Sequence, residues 1–95
     1  MLYGHEVIER IQAIRDEDHP PLRKIRRLLR FRRDLSHSAA RMATGCAILR
    51  GDGEDEGAER IELRMLELLD ACEAVRETAA EVAAEAKGRP QVSLM

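Results

Sequence analysis

Seven basic side chains crowd into residues 23–33: Arg23, Lys24, Arg26, Arg27, Arg30, Arg32 and Arg33. Phosphate binding needs such a cluster, because each phosphate neutralised by Lys or Arg releases condensed counterions. Arg23, Arg26, Arg27, Arg30 and Arg33 are therefore the candidates for contact with an anionic partner, nucleic acid among them. The setting argues the other way. Single-strand binders interleave aromatic rings on which bases stack, and Phe31 is the only ring in the run. No recognisable major-groove reading module surrounds it.

The rest of the chain also carries a counter-charge. Residues 20–50 hold nine Lys/Arg against one acid, Asp34, whereas residues 51–87 hold twelve Asp/Glu against four bases. Glu73, Glu77, Glu81 and Glu85 recur every four residues, a row of like charges that repel on a helix unless countered. A hairpin turning at Glu54 lays that row beside the basic run, with Asp16, Glu17 and Asp18 nearby. The expectation is that the basic run is largely neutralised inside the fold.

The stretch Asp52-Gly53-Glu54-Asp55-Glu56-Gly57 matches the first half of a calcium loop, with acids at positions one, three and five and Gly at six. The bidentate acid required at position twelve is replaced by Leu63, so an acidic, solvated turn is the better reading. Cys46 and Cys72 fall on apolar seams, where cysteine usually serves as a small core residue. In a hairpin turning at Glu54 they face residues near 62 and 36, too far apart to bridge. No CxxC or Cys/His cluster supports zinc. His5, His19 and His37 are scattered, and His37 sits opposite the seam beside Ser36 and Ser38. No nucleophile–base pair, Gly-rich phosphate loop or carboxylate pair stands at a specific spacing.

The elements that must position these residues are helical. Ala, Leu, Glu and Arg dominate the 95 residues, and Tyr3 and Phe31 are the only Tyr, Phe or Trp. Val7, Ile8, Ile11 and Ile14 mark a short amphipathic helix over about 5–17, broken by Asp18-His19-Pro20-Pro21. A second helix is predicted over about 21–50. Its positions 25, 28, 32, 35, 39, 42, 46 and 49 alternate spacings of three and four and are apolar except for Arg32. After an acidic turn at 51–57, a third helix over about 58–87 repeats the pattern at 61, 65, 68, 72, 75, 79, 82 and 86 without interruption. Gly88 and Pro90 end it, leaving an extended tail over 88–95.

These features predict one all-α domain over 1–95: a short N-terminal helix and a long antiparallel, coiled-coil-like hairpin. Two helices of about 45 Å outrun a first helix of about 20 Å, so the turn-proximal half is left uncovered. Met42, Ala43, Leu63, Leu66 and Leu69 there form the candidate interface, and a twofold homodimer with a four-helix core is the simplest way to cover it. The functional expectation is a small protein–protein interaction module, an adaptor, assembly factor or inhibitor that binds itself and a larger protein. No catalysis, cofactor or metal is expected. A nucleic-acid regulator using the basic start of the second helix is the first alternative. An enzyme or ligand-binding bundle with its site at an oligomer interface is the second. The absence of an apolar leader or a long apolar stretch predicts a cytoplasmic protein with no membrane contact.

Overall fold

The computed structural model describes residues 3–88, and from His5 onward their side chains as well. The tail read as extended lies, beyond Gly88, outside the described residues. The chain is all-helical: α1 spans Tyr3–Asp16, α2 Pro21–Gly51 and α3 Asp55–Gly88. The two long helices pack together along their length, and α1 lies against both. No described helix is long and apolar enough to cross a membrane.

Each boundary has a local cause. Pro20 caps α2, its carbonyl accepting the backbone N–H of Arg23 (3.0 Å) and of Lys24 (3.1 Å). Pro21 follows at the first helical position, where its missing N–H costs nothing. At the other end the helix closes by a Schellman motif. The Glu54 N–H donates to the Leu49 carbonyl (2.8 Å) and the Gly53 N–H to the Arg50 carbonyl (3.1 Å), while Gly53 takes φ +79°. The connection is therefore Asp52–Glu54 rather than a turn over 51–57. Asp55, Glu56 and Gly57 belong to α3, because acids are favourable in a helix's first turn and one left-handed glycine suffices to reverse the chain. Gly57 is where the returning helix passes closest: a Cβ there would lie 3.3 Å from Leu49 Cδ1.

The tighter turn moves the register. The Cys46 thiol donates to the Ala58 carbonyl (3.4 Å) and the Cys72 thiol to the Arg32 carbonyl (3.7 Å). Their opposite positions are thus about one helical turn from the residues near 62 and 36 that a turn at Glu54 would give. Both seams lie where the spacing puts them. Leu28, Leu35, Ala39 and Cys46 of α2 are buried, and so are Leu68, Cys72, Val75, Ala79 and Val82 of α3. Arg32 is exposed beside the break it makes. Leu28, Leu68 and Val75 are the largest side chains sealed from solvent. Val7 and Ile14 bring α1 into the same core, with Ile11, Ile25, Phe31, Met42 and Met65 packed around it.

Candidate interaction surface

A two-helix hairpin has two long sides, and α1 occupies part of one. It runs antiparallel to α2 and parallel to α3, from Val7 beside Phe31 and Leu35 to Arg15 beside Glu81 and Glu85. Arg15 donates to Glu81 (2.8 Å) and to Glu85, and Lys24 donates to the Arg15 carbonyl (2.6 Å). Arg27 pairs with Glu17 at the α1–α2 corner. The Arg10 guanidinium lies 5.9 Å from the centre of the Phe31 ring, so that ring is engaged with α1. Past the start of α1 the same side continues as a shallow groove of about 450 Å³, lined by Ser38, Arg41, Met42, Gly45, Ile61 and Arg64.

The opposite side carries no helix among the described residues. An α-helix advances about 100° per residue, so positions one flank away from each seam follow directly from the spacing. On α2 the open flank reads Leu22, Leu29, Ser36, Ala40, Ala43 and Ala47, all exposed. On α3 it reads Glu62, Leu66, Leu69, Glu73, Arg76, Ala80 and Ala83. Leu22, Leu29, Leu66 and Leu69 are 60, 44, 50 and 46% exposed. On the α1 side of α2 the positions flanking the seam, Lys24, Phe31, Ser38 and Gly45, are half-buried. Among the described residues, four of the seven large apolar side chains that stand exposed therefore share this one face.

The five residues expected at an interface separate by side. Ala43, Leu66 and Leu69 lie on the open face; Met42 is half-buried and lines the groove beyond α1; Leu63 points off the outer edge of α3. Sequence reasoning divided the hairpin along its length and not into two sides, and so missed Leu22 and Leu29. Their place one flank off the seam was the available signal.

The charged rows do not meet as expected. Among the described residues no ion pair joins the basic run of α2 to the acidic row of α3. Glu81 and Glu85 take Arg15 of α1, Glu73 takes Arg76 of its own helix, and Arg50 takes Glu62 (2.7 Å) near the turn. The Arg76 hydrogen bond holds Glu73 below the usual carboxylate range. Geometry explains the miss. Arg23, Arg26, Arg30, Arg33, His37 and Arg41 recur on the face of α2 opposite its seam, all exposed. Asp70 and Glu77 occupy the corresponding outer face of α3. The hairpin thus has a basic edge and an acidic edge facing away from each other. Arg27 alone of the five anionic-contact candidates turns inward, to Glu17.

Cys46 and Cys72 are buried free thiols, and burial pushes the Cys72 thiol up from its ordinary range. Thr78, the one buried polar residue of α3, donates to the Ala74 carbonyl (3.0 Å). His5 pairs with Glu9 (2.8 Å) on exposed surface. Comparison with protein families, with curated proteins and with solved structures finds no match to this chain.

Proposed function

We propose that the protein is a small helical interaction module, a coiled-coil-like hairpin that works by docking another helical surface on its open face. The observation that carries this reading is the exposure of Leu22, Leu29, Ala40, Ala43, Leu66 and Leu69 on one side of the hairpin, in two groups with Ser36 and the Glu73–Arg76 pair between them. Apolar groups of this kind, rimmed by charge, mark association surfaces. Small side chains on α2 let a neighbouring backbone approach closely, and the leucines supply the area that drives contact. The module performs no chemistry of its own: it holds proteins together, as an adaptor, assembly factor or inhibitor in the cytoplasm. Affinity capture with the wild type and with Leu69→Glu tests it. Proteins or copies retained by the wild type and lost by the variant support the reading; identical retention by both contradicts it.

A second reading rests on the basic edge. Arg23, Arg26, Arg30 and Arg33 are exposed and free of ion pairs among the described residues, which suits a duplex phosphate backbone better than a single strand, because Phe31 is engaged with α1. Four phosphate contacts imply a log–log salt slope of about −3.6. Duplex binding with that slope, lost when the four arginines become Gln, favours this reading over the first.

A further inference from the structure

We propose that the occupant of the open face is a second copy of this chain, laid face to face with both turns at the same end, so that α2 of each copy covers α3 of the other. This rests on the reading of the open face as a docking surface and names what docks there. The contacts across the seam fix which residues stand level: Arg32 with Cys72, Gly45 with Ile61 and Leu49 with Gly57. By that register the open face sets large against small at most levels. In the turn-proximal half the large residues, Leu66 and Leu69, are on α3, level with Ser36 and Ala40 of α2. In the other half Leu22 of α2 is level with Ala83 of α3, whereas Leu29 is level with Arg76, about a turn from Ala80.

Two rotations lay such a face on a second copy of itself. A twofold axis along the hairpin lays each α2 over the other copy's α3 at the same level, so Leu66 and Leu69 meet Ala40 and Ser36, Leu22 meets Ala83, and Leu29 lies along the aliphatic stem of Arg76. A twofold axis across the hairpin at mid-length lays α2 on α2 with the ends reversed, so Ala43 meets Leu29, but at the axis itself Leu69 falls on Leu69 of the other copy and Leu66 meets Glu73. Charge selects the same rotation. Arg26 and Arg33 rim the α2 flank, and on the α3 flank Glu73 stands at the level of Arg33, paired to Arg76, with Glu77 beyond it on the outer face. Pairing along the hairpin brings Arg33 of each copy beside Glu73 of the other; pairing across it puts Arg26 and Arg33 over the small residues 39–47, with no acid opposite. Arg26 and Arg33, which make no ion pair among the described residues of one hairpin, stand near an acid of the second. Size agrees as well: a face about 45 Å long and two helices of about 10 Å wide is comparable to the ~800 Å² per partner of a stable interface.

Spin labels on Asp52→Cys, at the turn, and separately on Lys87→Cys, at the open end, test the arrangement by pulsed dipolar spectroscopy. Cys46 and Cys72 are buried, so native labelling is directed to the new thiol. Parallel pairing gives short label-to-label distances at both ends, about 20–30 Å for packed neighbours carrying labels. A distance of about 45 Å or more at either end overturns the parallel arrangement while leaving a dimer. The absence of any dipolar signal from the folded, labelled protein at about 100 μM overturns the second copy as occupant, and loss of captured proteins by Leu69→Glu then decides the docking reading separately. A charge swap reads the same claim without labels. Arg26→Glu with Arg33→Glu weakens self-association at least ~10-fold, and adding Glu73→Arg with Glu77→Arg restores it. Failure of that rescue in a folded protein counts against the pairing.

Discussion

Truncating Leu68 to alanine is the sharpest probe of the seam. Leu68 is 1% exposed, midway along α3, and packs in the core shared with Leu35, Ala39 and Cys72. Sealed leucines lose about 2.7–5 kcal/mol on truncation to alanine, depending on how far the surroundings collapse. The site lies near the start of α1, in a core one layer thick, and thin cores relax more readily than deep ones. The expected cost is therefore about 3 kcal/mol. Domains of this size have a total stability of about 5–14 kcal/mol, so the loss is a substantial fraction of the whole. Urea unfolding followed by circular dichroism, at concentrations low enough to suppress association, reads it as a midpoint lower by about 2 M at an m value of about 1.5 kcal/mol/M. Leu63→Ala is the control. Leu63 is 63% exposed on the outer edge, and its loss costs no more than about 0.5 kcal/mol. Equal costs for the two, or a Leu68 effect under about 1 kcal/mol, would refute the register on which every face assignment rests.

Gly53→Ala forces a side chain into φ +79° and costs about 1 kcal/mol, whereas Gly51→Ala, with open space around its Cβ, is neutral or stabilising; thermal melts of both report the Schellman turn. Arg15→Gln removes the pair of links from α1 to Glu81 and Glu85. As a partly exposed interaction it costs no more than about 1 kcal/mol, and the difference from wild type shrinks as salt rises. The raised Cys72 thiol keeps its proton where the unfolded chain begins to lose one. Its contribution is complete below the ordinary thiol range and lost as pH rises through the raised native value. Alkylation of Cys72 at mildly alkaline pH is accordingly limited by opening of the hairpin, and a rate equal to that of a free thiol peptide would contradict its burial. Cys72→Ala costs on the order of 1 kcal/mol and leaves association intact, measured by melting and sedimentation.

The helices were legible because burial against a partner helix demands a repeat that the residues display. Ile25 to Leu49 and Ile61 to Ala86 keep their alternation of three and four, and the one exception, Arg32, is the one exposed position of the α2 seam. The position of α1 over the open half was legible from its length and the Pro20-Pro21 break. The turn was less so. Asp55, Glu56 and Gly57 resemble loop residues in composition, yet at a helix N-terminus acids are favourable, and Gly53 alone reverses the chain. The charges misled for a different reason. Sequence order places the basic run and the acidic row at the same level of the hairpin, but a helix has an outer face, and Arg23, Arg26, Arg30 and Arg33 occupy it. Level and direction are separate coordinates, and only the second decides whether two charges meet. The same distinction separates Ala43, Leu66 and Leu69 from Met42 and Leu63 within the candidate interface.

The most direct test of self-association through the open face is sedimentation equilibrium of the wild type beside Leu69→Glu and Leu63→Glu. Burying a glutamate at the interface, with no partner, costs several kcal/mol, whereas a glutamate on the outer edge is solvated. The account predicts a dimer mass for the wild type and for Leu63→Glu at roughly tens of micromolar, and a helical monomer for Leu69→Glu. A wild-type monomer at that concentration, or a Leu69→Glu dimer of undiminished strength, would contradict it.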